Sequence, residues 1–391
     1  MSARTALGTS HFDAVPIPSN LLPSDGRFGS GPARIRSEQL DALMASGRTV
    51  LGTSHRQSAV KGVVRRVREG LAQLFDLPGG YEIVLGNGGS TAFWDIAALC
   101  LVHERSAHLV LGEFSAKFAV ETRSAPHLAE PIVRESAPGS VPTWDDADGS
   151  LASADVVAWP HNETSTGVML PVSRPTHATQ SGALVLVDAT SAAGGIAVDI
   201  DQTDTYYFAP QKCLGSDGGL WVAALSPATI ERAAELEARN DRWVPSFLSL
   251  TAAIENSQKN QTLNTPAIAT LILLAEQVEW ILDQGGLAWA DERTRTSSGL
   301  LHAWADRRED VTCFVTDPAA RSQVVTTLDL APHVDAAALA ARLRREGILD
   351  IEPYRKLGRN QLRIATFPSV PPSDVEALVS VLDHVLDSAA A

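Results

Sequence analysis

Two residues of opposite charge follow strand-like apolar runs, at positions where α/β sheets commonly carry ligand-binding residues. Asp188 ends the apolar run Leu184–Val187, and Lys212 follows 24 residues later, after the strand-like run Tyr206–Phe208. Because open α/β sheets bind ligands at the carboxyl ends of their parallel strands, we expect both side chains in one crevice. A lysine can form a Schiff base with a carbonyl, and a carboxylate can keep a pyridine nitrogen protonated, which indicates pyridoxal phosphate chemistry. Taken alone, the pair is better explained by a helix cap at Asp188 and a lysine on a loop surface.

A glycine-rich turn is a candidate phosphate site. Residues 86–91, Gly-Asn-Gly-Gly-Ser-Thr, lie between a predicted strand at 82–85 and a helix that begins near Ser90. Glycines let a phosphate approach the backbone, and the free amides of a helix N-terminus can donate to it. The segment matches neither a Walker loop nor a dinucleotide fingerprint. An ordinary strand-to-helix connection with a serine cap is the alternative.

Basic residues are concentrated in three places of this acidic chain. His55 and Arg56 lie in a polar loop, and a basic segment at 354–359 precedes Arg363, which stands between apolar residues of a predicted strand. Arginine is rarely buried without a partner, and its planar fork suits carboxylate and phosphate groups. Arg363 should therefore meet an anion, either a ligand or an internal carboxylate.

Two further segments reach the predicted crevice. The polar run His161–Gly167 follows the strand Val156–Trp159, so its side chains should face the same edge of the sheet. Phe114 comes just after the strand at 109–111, where its ring could stack on a flat ligand or simply join the core.

These groups require a sheet that aligns several strand ends. Short apolar runs alternate with stretches of helical spacing, which is the pattern of βα units around a mostly parallel sheet. The sequence thus predicts a large α/β domain. The predicted strands are Ile83–Leu85, Leu109–Leu111, Val156–Trp159, Leu184–Val187, Tyr206–Phe208 and Trp221–Ala224, and the clearest helices are Ser90–Val102 and Pro227–Ala238.

After Gly285 the pattern changes. Helices are predicted at 291–307, at 336–345 and from 373 onward, with strands at 311–315, 324–328 and 362–367. Strands paired on one face of helices make a smaller α+β domain. We therefore expect a large domain at 29–284 and a small domain formed by 285–391 together with 1–28.

Composition excludes several classes of protein. With 45% hydrophobic and 20% charged residues the chain can build a large core, and its formal charge of −14 gives no attraction to nucleic acid or anionic lipid. The three cysteines are widely spaced and fit neither a zinc site nor a disulfide framework, so no metal is predicted. The N-terminal residues do not read as a signal peptide, and the longest apolar stretch, Ile268–Leu282, is too short to span a bilayer. A cytoplasmic location is expected.

In their order along the chain, these segments resemble the phosphoserine aminotransferases, which belong to the class-V branch of the fold-type I pyridoxal phosphate enzymes. Each segment is weak evidence alone, whereas the ordered set covers nearly the whole chain. The matching segments are Phe28–Ala33, His55-Arg56, Asn162–Thr164, Asp188, Ala209–Lys212, Asn264–Pro266 and Arg355–Arg363.

The resemblance implies roles around the cofactor ring. Lys212 would carry the Schiff base and move the proton at the substrate Cα, and Asp188 would pair with the pyridinium nitrogen. Thr164 would bond the ring hydroxyl side, and Phe114 would stack on the ring. The resemblance also implies a cofactor-phosphate site made of Gly89, Ser90 and Gln211, with Asn264 and Thr265 from the other subunit of a homodimer.

For the substrate, the resemblance implies that Arg363 binds the carboxylate. His55, Arg56 and Arg355 would bind the substrate phosphate or the distal carboxylate of glutamate. The chain departs from the usual pattern at Phe114, where Trp is common, in its Gly-Gly-Ser-Thr segment, and at Tyr354, where His is common. The last change removes a potential positive charge from the phosphate pocket.

The implied reaction is transamination between L-glutamate and 3-phosphohydroxypyruvate in serine synthesis, with a related step in pyridoxine synthesis. One alternative is another class-V aminotransferase, such as an alanine– or serine–glyoxylate enzyme, whose substrates carry no phosphate. A cysteine desulfurase would need a mobile cysteine, and the only candidate, Cys313, lies in a predicted strand. A pyridoxal phosphate protein that only binds its cofactor is the alternative outside catalysis.

Overall fold

The computed structural model describes residues 11–390, and its largest element is a seven-stranded sheet. The order across the sheet is β1-β9-β8-β7-β4-β2-β3, and only β9 runs antiparallel to its neighbours. Its strands are β1 (Glu82–Gly88), β2 (Ser106–Val110), β3 (Ile132–Glu135), β4 (Val156–Pro160), β7 (Leu184–Asp188), β8 (Thr205–Phe208) and β9 (Gly219–Leu225); β5 (Asn162–Glu163) and β6 (Val168–Met169) form a separate two-stranded sheet.

Both faces of the large sheet are covered, which explains why its central strands are apolar throughout. In β7, Val185 and Val187 belong to one hydrophobic cluster, whereas Leu184 and Leu186 belong to the other. Helices α2 and α8 contribute to the first cluster, and α3, α4, α6 and α7 to the second. The helices of this region are α1 (Ser37–Val50), α2 (Ser58–Leu74), α3 (Ser90–Cys100), α4 (Glu113–Ser124), α5 (Thr176–Ser181), α6 (Pro227–Glu237), α7 (Leu250–Gln258) and α8 (Ile268–Gln284).

A third hydrophobic cluster lies around a three-stranded antiparallel sheet with the order β10-β11-β12. It is completed by Phe12, Val15 and Phe28 from the beginning of the described chain. This separate cluster supports the domain division that we propose, 29–284 against 285–391 with 1–28. The elements are β10 (Val311–Cys313), β11 (Val325–Leu330), β12 (Gln361–Ala365), α9 (Gly286–Asp306), α10 (Ala336–Arg344) and α11 (Pro372–Ala390).

The α/β fold with a mostly parallel seven-stranded sheet is confirmed, and each of the six strands predicted for it is present. The edge strand β3 was not predicted, because it has only four residues, two of them charged. The apolar stretch at 268–282 is the buried helix α8. Among residues 11–390, no helix combines the length and the apolar character needed to cross a membrane.

Candidate active site

A cavity of about 450 Å³ opens at the carboxyl ends of the parallel strands. Asp188 is the last residue of β7, Lys212 follows β8, and Ser90 begins the helix after β1. The fold therefore brings together polar residues that are far apart in sequence, as expected for an open α/β sheet. The lining comprises Ser30, Gly31, Pro32, Gly89, Ser90, Thr91, Trp94, Phe114, Pro160, Asn162, Thr164, Asp188, Thr190, Ser191, Gln211, Lys212, Tyr354 and Arg363.

Lys212 is buried in this cavity, with only 8% of its surface exposed. Its Nζ donates a hydrogen bond to Thr164 Oγ1 at 2.7 Å. Burial lowers the pKa of the Lys212 amine to about 8; the charge of Arg363 lowers it further, whereas Asp188 and Glu163 act in the opposite direction. Near neutral pH the neutral fraction of this amine is thus far larger than that of an exposed lysine, which makes it a better nucleophile and proton acceptor.

The Asp188 carboxylate is held in a fixed orientation. Its Oδ1 accepts from the backbone N and the Oγ1 of Thr190, at 2.9 and 2.5 Å, and its Oδ2 accepts from Trp94 Nε1 at 3.2 Å. Burial raises the pKa of this carboxyl, and the hydrogen bonds from Thr190 and Trp94 oppose that rise. A buried carboxylate in this state favours a cationic partner, such as a protonated ring nitrogen.

Phe114 lies beside the lysine. The centroid of its ring is 5.3 Å from Lys212 Nζ and 6.0 Å from the ring centroid of Tyr354. Glu163, fully buried, sets the start of the helix that carries Phe114, because its carboxylate accepts from the backbone N of Ser115 at 3.0 Å. A carboxylate at a helix N-terminus is favoured by the helix dipole.

Arg363 of β12 enters the cavity from the small sheet. Its Nη1 donates to the backbone O of Thr164 at 3.2 Å, and its guanidinium lies 5.3 Å from the centroid of the Tyr354 ring. Its Nε is buried without a hydrogen-bond acceptor in the described chain, and burial lowers its pKa. Within residues 11–390, no carboxylate comes within ion-pair distance of it. These features suit a guanidinium that binds a carboxylate ligand.

Four predicted site residues lie elsewhere, and we call them the outer cluster: His55, Arg56, Asn264 and Thr265. The Nδ1 of His55 and the Oγ1 of Thr265 are 3.2 Å apart, and Arg56 donates to Gln261 Oε1 at 2.9 Å. Arg56, Asn264 and Thr265 are exposed, and none of the four lines the cavity of this chain.

Arg355 lies next to the cavity-lining Tyr354 and is exposed. The two neighbouring cations are already paired, Lys356 with Glu113 and Arg359 with Asp329. Arg355 makes no comparable contact with the residues described here, so among these three cations it remains available to a ligand.

Comparison with known proteins identifies the arrangement. The class-V aminotransferase family model matches residues 29–350. A putative phosphoserine aminotransferase of Mycobacterium leprae is 58% identical over 376 residues, covering 96% of this chain and 98% of the relative. A phosphoserine aminotransferase of Nocardioides is 56% identical over 375 residues, with coverages of 96% and 99%. The chain belongs to the class-V aminotransferase family.

A solved structure supports the same fold. A phosphoserine aminotransferase from Cytophaga hutchinsonii superposes with a TM-score of 0.84 at 24% identity, covering 92% of this chain and 99% of that one. The predicted family and the predicted cofactor, pyridoxal 5′-phosphate, are confirmed by these matches. The protein is therefore a pyridoxal phosphate-dependent aminotransferase.

The cavity of this class-V aminotransferase fits the cofactor. Gly88 adopts a positive φ of 130°, and the following Gly89 is the N-cap of α3 without any side-chain cap, so first-turn amides are available to a phosphate. Gln211 also lines the cavity, and the Nε2 of its amide can donate a hydrogen bond to a phosphate oxygen. Gly89, Ser90 and Gln211 would hold the phosphate, and Phe114, Thr164, Asp188 and Lys212 would surround the ring.

When bound, pyridoxal phosphate supplies an electron sink for the bonds at the substrate Cα. Substrate orientation, charge stabilisation and proton transfer would fall to residues of the protein. Arg363 would orient the substrate carboxylate, Asp188 would stabilise positive charge at the ring nitrogen, and Lys212 Nζ would accept and return the proton of the substrate Cα. These roles, implied by the resemblance and compatible with the geometry, stay predictions.

Sequence reasoning did not identify two residues that position Asp188. Thr190, two residues after the aspartate, makes the short side-chain-to-backbone turn typical of Asp. Trp94 stands four residues after Ser90 on α3, so the two share one helix face. The spacing of Thr190 from Asp188 and of Trp94 from Ser90 is visible in the sequence. It points to these two residues only once Asp188 is assumed to bind a ligand.

Proposed function

We propose that this enzyme transfers the amino group of L-glutamate to 3-phosphohydroxypyruvate, giving 2-oxoglutarate and O-phospho-L-serine, reversibly. The observation that carries the proposal is the pair of phosphoserine aminotransferases that are 56–58% identical over nearly the whole chain. The reaction belongs to serine synthesis, and a related step on a phosphorylated threonine analogue would serve pyridoxine synthesis.

The cavity supports the part of this reaction common to both substrates. Glutamate and phosphohydroxypyruvate share a carboxylate next to the reacting carbon, and the half-buried guanidinium of Arg363, whose Nε has no acceptor in the described chain, is available to it. Lys212, with its lowered pKa, is within the same cavity and takes the Cα proton. Residues of one chain would therefore bind the α-carboxylate and move the proton at the reacting carbon.

The distal anion requires further cations. Arg355 follows the cavity-lining Tyr354 in sequence, whereas His55 and Arg56 of the outer cluster contact Thr265 and Gln261. We propose that the enzyme is a homodimer in which the outer cluster of one subunit completes the cavity of the other. Asn264 and Thr265 would then reach the cofactor phosphate, and His55 and Arg56 the substrate phosphate. A cytoplasmic location is part of the proposal and agrees with three unpaired cysteines.

The alternatives differ in what they need from these residues. Other class-V aminotransferases share the fold, and a glyoxylate enzyme would leave Arg355 and the outer cluster without a phosphate to bind. A cysteine desulfurase is disfavoured by Cys313, because this residue lies on β10 and burial raises the pKa of its thiol. A binding protein without turnover would still need Lys212 to attach the cofactor, but it would have no use for Arg363 as a site for a substrate carboxylate.

The deciding experiment is an assay of the purified holoenzyme with glutamate and a set of keto acids. We expect 2-oxoglutarate to form fastest with 3-phosphohydroxypyruvate and far more slowly with hydroxypyruvate, pyruvate or glyoxylate. Preference for glyoxylate or pyruvate would assign the protein to another class-V activity. Failure to transaminate any of these acids would leave the non-catalytic alternative.

Subunit exchange tests the shared site. Lys212→Ala protein is mixed with a variant whose Asn264 and Thr265 are both replaced by bulky residues. Heterodimers contain one site with Lys212 and a normal partner outer cluster, so activity should appear on mixing. Labelled subunits report whether exchange occurs, and exchanged heterodimers without activity would refute the shared site.

A further inference from the structure

A second cavity, of about 400 Å³, lies between the beginning of α1, helices α8 and α9, and the segment that precedes α11. Four arginines line it, Arg27, Arg34, Arg36 and Arg293, against two carboxylates, Asp25 and Glu38. In a protein with a formal charge of −14, this is a local excess of positive charge. None of these residues lines the active-site cavity.

The internal ion pairs leave part of this charge uncompensated. Arg27 pairs with Asp25 at 2.5 Å, and Arg34 with the buried Asp374 at 2.8 Å. The partner of Arg36, Glu38, is 3.2 Å away but has 71% of its side chain exposed, which makes the pair weak. Arg293 has no carboxylate within ion-pair distance between residues 11 and 390.

Arg36 and Arg293 are nevertheless held in place. Both guanidiniums lie against the ring of Trp280, at 4.1 and 6.0 Å from its centroid, and Arg293 also lies 5.1 Å from the Trp289 ring. Arg293 Nε donates to the backbone O of Pro368 at 2.8 Å, and Arg36 Nε to Gln277 Oε1 at 2.8 Å. Burial lowers the pKa of both arginines, so a nearby anion would relieve an electrostatic cost.

A separate observation points to a ligand in the same cavity. Ser369 lines it and is only 2% exposed, yet its Oγ has no hydrogen-bond partner among the described residues. Buried hydroxyls are normally satisfied, so an unpaired one beside two guanidiniums is a candidate donor to a bound oxyanion. The N-terminus of α1 also reaches the cavity through Ser37, and helix N-termini favour anions.

We propose that this second cavity binds a small oxyanion with two negative charges, of the phosphate or dicarboxylate type. Arg36 and Arg293, both packed against Trp280, supply the charge, and Ser369 donates the neutral hydrogen bond. Planar guanidinium forks match both kinds of oxyanion. The proposal does not depend on the substrate assigned to the active site, because the two cavities have different lining residues.

The test uses holoenzyme titrated with inorganic phosphate at constant ionic strength, with binding followed by calorimetry and by the melting temperature. Arg293→Gln is compared with Arg295→Gln, a control on the same helix whose side chain is 60% exposed and lies outside the cavity. Phosphate bound in the active site contributes equally to all proteins. We expect wild type and Arg295→Gln to share a binding step that Arg293→Gln weakens by about ten- to a hundredfold.

Ser369→Ala removes only the hydroxyl, and we expect it to weaken the same step by about two- to tenfold. This variant keeps the test decisive if Arg293→Gln does not fold. A parallel titration with succinate distinguishes a dicarboxylate from a phosphate ligand by which of the two binds more tightly. The proposal would be overturned if Arg293→Gln and Ser369→Ala bound phosphate and succinate as tightly as the wild type does.

Discussion

The active-site cavity and the outer cluster differ in how their side chains are held. In the cavity, Lys212, Asp188 and Arg363 are fixed by bonds to Thr164, Thr190 and Trp94 within one chain. In the outer cluster, Arg56, Asn264 and Thr265 are exposed and do not line the active-site cavity of their own chain. The difference supports the proposal that one chain supplies the groups at the reacting carbon and the α-carboxylate, whereas the outer cluster of a partner subunit would complete the sites for the cofactor phosphate and the distal anion.

Burial also affects the charged groups of the active-site cavity. Burial lowers the pKa of Lys212 and Arg363 and raises that of Asp188, so each of these three groups bears an electrostatic cost that a ligand can offset. An anionic substrate therefore interacts strongly with the cavity. Arg56 of the outer cluster is exposed, and we expect it to select among substrates rather than to support turnover itself.

Removal of the cavity lysine should have the largest effect. We expect Lys212→Ala to reduce turnover by about 10²–10⁴-fold or more, because both the nucleophile and the proton carrier are lost. Lys117→Ala is a matched control, since its Nζ is also 5.3 Å from the Phe114 ring centroid, but its side chain is 45% exposed. Steady-state rates and the absorbance of lysine-bound cofactor measure the outcome. Similar losses in both variants would remove the special role of Lys212.

Substitutions of Arg363, of Arg355 and in the outer cluster should differ in which substrates they affect. Arg363→Gln should lower kcat/KM about ten- to a hundredfold for every amino acid tested, because each one carries the carboxylate that Arg363 binds. Arg355→Gln and Arg56→Gln should lower it to that extent for phosphoserine only. The measurement is kcat/KM for phosphoserine, serine and alanine in all three variants. Equal losses for phosphorylated and plain amino acids with Arg355→Gln would contradict a phosphoserine enzyme.

The same comparison explains what the sequence could predict. The strands that end in Asp188 and precede Lys212 are continuous apolar runs buried on both faces, so their ends and the crevice follow from local pattern. Contacts between distant segments leave no local signal. The second cavity joins Arg34, Arg36 and Arg293 through folding alone, and the position of Thr265 beside His55 depends on a contact across 210 residues. The roles of the individual site residues remain predictions.

The pKa of Lys212 should respond in opposite directions to its two charged neighbours. Because burial lowers this pKa to about 8 from the ordinary 10.5, the neutral amine forms at lower pH than in an exposed lysine. The rate at which the cofactor-free enzyme takes up pyridoxal phosphate should thus rise through a midpoint near pH 8. Arg363→Gln removes a positive charge and should raise the midpoint, whereas Asp188→Asn removes a negative charge and should lower it. Shifts of the same sign would contradict this assignment of causes.

The smallest effect is expected at Tyr354, which lines the active-site cavity. Its ring contacts both Arg363, at 5.3 Å, and Phe114, at 6.0 Å, and Arg355 follows it in sequence. A partly exposed cation–π contact contributes about 0.5–1 kcal/mol, so Tyr354→Leu should weaken kcat/KM by about two- to fivefold for all substrates. Tyr354→Phe keeps the ring and should stay near wild type. A large loss in Tyr354→Phe, confined to phosphoserine, would instead show that the hydroxyl binds the distal phosphate, and the division between cavity and outer cluster would have to be redrawn at this residue.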